Sequence, residues 1–143
     1  MTGVAYADAS ALVKLVVDEA DSARVFRWYV EVERVATSRI GVVETIRAST
    51  RREHDAAYRD RVLDEVEIIE LDPAIARVAA SLSPRLLRTL DAIHLATALA
   101  LGPELDAFVT YDERLAAAAR RLHMAVLQPG RQQNGKRKTQ TGH

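Results

Sequence analysis

The feature that most constrains this chain is residues 89–101, TLDAIHLATALAL. Behind Asp91 nearly every residue is apolar, and Ala and Leu dominate, so helix propensity is high. Apolar character right round a helix means burial on all sides. The run is too short to cross a bilayer, which takes about 20 residues. It nonetheless opens with a carboxylate. Asp91 reads either as a cap on the new helix, where orphan N–H groups favour negative charge, or as a ligand or catalytic acid held at the core's edge.

The rest of the chain alternates short apolar runs with helical patterns. Residues 4–7 read as a buried strand ending at Asp8, with Ser10 a candidate cap for a helix over 11–17. A second helix is expected to start at Asp21 or Ser22, and a strand is expected at 35–37. Ser38 is placed to cap a helix over 39–50, and another helix is expected over 56–65. VEIIEL at 66–71 reads as a strand. Asp72–Pro73 then pairs a cap with proline at the first helical position. Gly102–Pro103 stops the apolar helix. AFVT at 107–110 reads as a strand, 112–122 as a helix and 124–127 as a last strand. This alternation predicts an α/β domain with a mainly parallel sheet.

In such sheets ligands bind beyond the carboxyl ends of the strands. Asp8 lies at the end of the first strand, and Thr110 and Asp112 lie at the end of AFVT. Asp91 opens the helix that leads into that strand, and Glu44 sits on the apolar stretch VVETI. Each acid has an ordinary reading, as a turn, a cap or a solvated helix residue. Together they are expected to converge on one site. A set of Asp and Glu without Cys suits a hard cation such as Mg²⁺ or Mn²⁺ rather than zinc. A bound cation of this kind polarises a phosphoryl oxygen and acidifies water, which is the equipment for phosphodiester hydrolysis.

YADASALVKL, SRIGVVET, LDAIHLATALA and FVTYDERLAAAA, in this order, resemble the four motif regions of PIN-domain ribonucleases, and the length and spacing resemble the VapC toxins of type II toxin–antitoxin pairs. The resemblance spans nearly all of residues 4–127. It implies a single PIN-like domain, a three-layer α/β/α sandwich with a mainly parallel sheet. It also implies that Asp8, Glu44, Asp91 and Asp112 are the metal-binding and catalytic acids, with the Ser10 and Thr110 hydroxyls in support. The implied activity is Mg²⁺- or Mn²⁺-dependent endonucleolytic cleavage of RNA such as a tRNA or rRNA loop. The implied partners are an RNA substrate, a VapB-type antitoxin whose tail blocks the site, and a second copy in a homodimer.

Other residues offer two readings each. His94, three residues after Asp91, is a packed, hydrogen-bonded core residue or else a ligand or proton shuttle. Arg39, Arg47, Arg51 and Arg52 contact RNA phosphates or cover a solvated helix end, and Trp28 and Tyr29 pack or stack on bases. The chain has no Cys, no membrane-spanning stretch and no basic leader, so a reducing, cytoplasmic setting is expected. Residues 1–128 are expected to form the domain. Residues 129–143 are expected to form a disordered tail, with four cations and no acid. Two further function classes remain open at this level. A phosphotransfer domain could use Asp8 as nucleophile, although Ser10 stands where a second Asp belongs and no Lys follows the last strand. A binding module could keep the fold without catalysis, although all four acids are present.

Overall fold

A computed structural model describes residues 3–83 and 87–131. Pro84, where the sequence ends a helix, and residues 132–143 of the basic tail lie outside the described residues. The elements run β1 (Val4–Ala7), α1 (Ala9–Val16), α2 (Ser22–Glu31), β2 (Val35–Ser38), α3 (Arg39–Thr50), α4 (Ala56–Glu65), β3 (Glu67–Ile69), α5 (Pro73–Ser81), α6 (Thr89–Ala100), β4 (Leu105–Val109), α7 (Glu113–Arg121) and β5 (Val126–Leu127).

The five strands form one sheet in the order β3-β2-β1-β4-β5, and every neighbouring pair is parallel. Period-two alternation divides β1 between two cores. Ala5 and Ala7 face one cluster with Leu12, Leu15 and Val25, while Tyr6 faces the other with Leu95, Phe108 and Leu115. Helices α1, α2 and α4 therefore cover one face, and α6 and α7 the other. The result is a three-layer α/β/α sandwich with an all-parallel sheet.

Several boundaries follow from side-chain chemistry. Ser38, Asp55 and Asp72 each accept a backbone N–H three residues on and cap α3, α4 and α5. The first helix starts earlier than its sequence pattern suggests. Asp8, not Ser10, caps α1, because the Ser10 hydroxyl is already committed elsewhere. Asp91 is not a cap either. Arg88 occupies that position without a side-chain bond, and Asp91 lies in the first turn of α6. Ala92 to Ala98 of α6 are buried without interruption, whereas Leu90 and Leu99 at its ends are exposed. The helix stops where Gly102 takes φ +57°, a left-handed conformation that glycine adopts without a Cβ clash. Strand β3 is shorter than 66–71, since Val66 ends α4 and packs into the core while Leu71 is exposed. Strand β5 is shorter than 124–127, because Met124 follows the left-handed residue His123.

Candidate active site

Asp8 follows β1 at the carboxyl edge of the sheet, and its side chain is 4% exposed. Three donors hold it. Oδ1 accepts from the Ser10 hydroxyl at 2.7 Å and the Ala11 N–H at 3.2 Å, and Oδ2 accepts from the Thr110 hydroxyl at 2.6 Å. A carboxylate offers about four lone-pair positions, so one on Oδ2 is left over. Burial pushes the Asp8 carboxyl above its ordinary range, and the two hydroxyls oppose that rise only in part.

The hydroxyls are themselves fixed by the loop after β4. Thr110 Oγ1 accepts the Asp112 N–H at 3.0 Å, and Ser10 Oγ accepts the Tyr111 N–H at 2.7 Å. Residues 8–10 and 110–112 are thus tied across the β1–β4 pair. Asp112 is exposed and caps α7, with Oδ1 accepting from Arg114 and Leu115 N–H. The Tyr111 ring sits between cations, 4.7 Å from Lys14 Nζ and 5.1 Å from Arg131 Cζ, and its hydroxyl donates to the Pro129 carbonyl.

Glu44 stands on α3 and is held by His94. The buried imidazole of His94 lies 2.7 Å from Glu44 Oε1 through Nε2 and 2.6 Å from the Tyr6 hydroxyl through Nδ1. Tyr6 Oη also accepts the Ser38 N–H at 3.2 Å, and burial pushes the phenol upward, so it keeps its proton. That proton goes to Nδ1, and the Nε2–H therefore donates to Glu44. His94 is both a packed core residue and the support of an acid. With both ring nitrogens engaged it is not a ligand. Close packing holds the group together. A Cβ on Gly41 would sit 2.2 Å from Thr37 Oγ1 and 3.4 Å from His94 Cε1. Thr37 Oγ1 is buried beside this group.

Asp91 projects from the first turn of α6 and is partly buried. Burial raises its carboxyl, and the charge of Asp112 raises it further. This is the one place among the acids where mutual repulsion is visible. Among the described residues, no three His, Asp or Glu side chains stand close enough to grip one ion. Hydroxyls and an amide engage Asp8, an imidazole engages Glu44, and Asp112 caps its own helix. The donor set still fits a hard cation, because all four groups are carboxylates and none is ion-paired to Lys or Arg among the described residues.

The four candidate RNA-contacting arginines divide into two pairs. Arg39 bonds to Glu70, at 3.1 Å through Nε, and Arg52 Nη1 to Glu19 at 2.8 Å. Arg47 and Arg51 line a cleft of about 450 Å³ together with Ser10 and Glu44. Trp28 and Tyr29 pack against the core, with the Tyr29 hydroxyl on Glu65. Sequence reasoning missed Tyr6, whose only signal was a tyrosine inside an otherwise aliphatic strand. No described helix is long and apolar enough to cross a membrane.

Comparison with known proteins agrees with this architecture. The chain matches the PIN domain over residues 5–121. It is 37% identical over 134 residues to ribonuclease VapC47 of Mycobacterium tuberculosis, covering 87% of this chain and 96% of that protein. Ribonuclease VapC46 of the same organism is 38% identical over 125 residues, with the same coverage. Two solved structures share the fold. One is M. tuberculosis VapC20, a sarcin–ricin-loop-cleaving toxin, with TM-score 0.65 and 18% identity over 80% of this chain and 94% of that chain. The other is a toxin–antitoxin complex from Klebsiella pneumoniae, with TM-score 0.65 and 22% identity over 87% and 97%. On the family match and the curated relatives, this chain belongs to the PIN-domain family, among the VapC-type ribonuclease toxins of toxin–antitoxin systems.

Proposed function

We propose that the protein is a divalent-cation-dependent endoribonuclease that arrests translation by cutting a tRNA or rRNA, with Asp8, Glu44, Asp91 and Asp112 as its working acids. The observation that carries the reading is Asp8. It is a buried carboxylate without a Lys or Arg partner among the described residues, aimed by two hydroxyls and an amide, with one lone pair left over. Asp8, Asp91 and Asp112, with Glu44, would hold Mg²⁺ or Mn²⁺. Such an ion supplies Lewis acidity at a phosphoryl oxygen and a more acidic bound water.

The chain's own residues do the positioning. Ser10 and Thr110 fix the plane of the Asp8 carboxylate through hydroxyls anchored on the backbone of residues 111 and 112. His94 holds Glu44, and Tyr6 fixes which ring nitrogen of His94 carries the proton. The raised carboxyl of Asp91 beside Asp112 favours the arrival of positive charge. The phosphotransfer alternative is weaker, because Ser10 stands where that chemistry needs a second Asp and its hydroxyl serves to hold Asp8.

Its partners on this reading are RNA, a VapB-type antitoxin that covers the acids, and a second copy of the chain, all in the cytoplasm. Sequencing RNA 5′ ends after brief induction tests it. A discrete new end that requires Mn²⁺ or Mg²⁺ in vitro and vanishes with chelator is the expected result. Metal-independent cutting, or no cutting by the folded protein, overturns it.

A further inference from the structure

We infer that Tyr111 is a positioning residue for Asp8 and Asp112, and that the turn after β5, Gln128–Arg131, is the clasp that holds it. The inference rests on the ribonuclease reading and adds to it a part of the chain that supplies none of the four acids. The Tyr111 N–H donates to Ser10 Oγ at 2.7 Å. Its neighbour Thr110 donates to Asp8 through Oγ1, which also accepts the Asp112 N–H. The placement of the 110–112 backbone therefore decides where both hydroxyls aim. Tyr111 lies between β4 and α7, so bonds from elsewhere must fix it. Three successive residues supply them. The Leu127 carbonyl accepts the Thr110 N–H at 3.3 Å, Gln128 Nε2 donates to Glu113 Oε2 at 3.2 Å, and the Pro129 carbonyl accepts the Tyr111 hydroxyl.

The clasp is a built feature. The Arg131 N–H closes on the Gln128 carbonyl at 2.8 Å, with Pro129 and Gly130 at the two central places and Gly130 at φ +90°. That is the residue pattern of a type II turn. Gly130 is needed twice over, because a Cβ there would stand 2.9 Å from Asp21 Oδ1 and 3.1 Å from Arg24 Cβ. The ring is held as well as the hydroxyl, and residues 19–21 fix both cations beside it. Lys14 bonds to Glu19 at 3.2 Å and to the Ala20 carbonyl at 2.9 Å, and Arg131 Nε bonds to Asp21 at 3.0 Å. Lys14 Nζ and Arg131 Cζ then lie 4.7 and 5.1 Å from the ring centre, within cation–π range. Asp21 stands at the N-cap of α2 with φ 71°, yet its side chain makes no cap hydrogen bond. Its carboxylate serves a cation 110 positions away instead.

The test uses the full-length protein. Gly130→Val opens the turn and leaves Tyr111 and the acids in place, whereas Tyr111→Leu removes the ring and the hydroxyl. Tyr111→Phe and Asp21→Asn are milder, and Asn tolerates the left-handed backbone. With saturating Mn²⁺, Gly130→Val and Tyr111→Leu should each lower kcat about 10- to 100-fold at unchanged KM for RNA, the range for a group that orients a ligand. Tyr111→Phe and Asp21→Asn should lose less. Combining Gly130→Val with Tyr111→Leu should be no worse than either alone, because both act through one contact. Without metal, amide hydrogen exchange at Tyr111 and Asp112 should quicken in Gly130→Val and in Asp21→Asn, while β1 and α6 stay protected. If Gly130→Val fails to fold, Asp21→Asn carries the exchange test. Unchanged exchange at these two amides, or protection lost throughout the sheet, overturns the inference. So do multiplying effects of the two substitutions, and so does a raised KM at unchanged kcat, which would give the clasp to RNA binding. No cleavage by the unsubstituted protein defeats the ribonuclease reading, and the exchange measurement still decides the clasp.

Discussion

The two ends of the sheet handle charge in opposite ways. At the amino edge Arg34, just before β2, bonds to Glu67 at 2.8 Å through both Nε and Nη2, and to Glu104 at 3.0 Å through Nη1. One guanidinium here pairs with two carboxylates across the starts of β2, β3 and β4. At the carboxyl edge the acids meet hydroxyls, amides and one imidazole, and no Lys or Arg bridges them among the described residues. Neutral donors orient a carboxylate without cancelling its charge. The amino edge therefore carries pairing, and the carboxyl edge, apart from the Arg39–Glu70 pair beyond β2 and β3, leaves its four acids without a Lys or Arg partner among the described residues.

Substitutions at the two edges should diverge most in catalysis. Asp8→Asn or Asp91→Asn should slow RNA cleavage on the order of a thousandfold, the several kcal/mol that charge stabilisation at a metal site supplies. Growth on induction should recover with either. Asp112→Asn should be milder, because Asn keeps the cap. Arg34→Ala should cleave like the wild type. Cleavage rates of the four purified proteins decide it, and a folded Asp8→Asn that cuts at the wild-type rate would falsify the site assignment.

The support of Glu44 should matter next. His94→Ala should cost about 10- to 100-fold in cleavage or in Mn²⁺ affinity, the usual range for a group that orients a ligand. His94→Gln, which returns an N–H near the Nε2 position, should recover part of the loss. Tyr6→Phe should lose less activity but abolish the single tautomer. Long-range proton–nitrogen spectra of His94 would read this directly. Unchanged ring-nitrogen signals in Tyr6→Phe would mean that the phenol does not set the proton's place.

Stability should move in the reverse direction from activity. A carboxyl raised in the folded state gives a stabilising contribution that is present below the unfolded value and is lost as pH rises through the folded one. Asp8 and Asp91 are both raised. In chelator at neutral pH, Asp8→Asn should therefore melt above the wild type. That gain should shrink as pH falls toward the ordinary carboxylate range. A gain that persisted in acid would trace to something other than the buried charge. At the amino edge, Arg34→Ala should lower Tm slightly, and added salt should erase the difference, as for any exposed ion pair.

The element pattern was legible in the sequence wherever a short polar residue announces a helix. Ser38, Asp55 and Asp72 cap where they stand, so α3, α4 and α5 begin where the pattern puts them. The pattern fails where a polar residue has a second employer. Ser10 reads as a cap because Ser caps helices, but its hydroxyl bridges Asp8 and the Tyr111 N–H. Asp91 reads as a cap because it stands before an apolar run, yet the helix starts two residues earlier. The acids could be named because the topology rule points to strand ends. Their hydrogen bonds could not, since Tyr6 and His94 meet across 88 residues.

The bond from Thr110 to Asp8 joins residues 102 positions apart. A ribosome adds about 5–20 residues per second, amino end first. Strand β1 is made early, but the Thr110 hydroxyl that holds Asp8 is made 102 residues later. Long-range closure of this kind is slow. The nascent chain therefore has no finished Asp8 site until β4 and Thr110 have been made and have closed on β1.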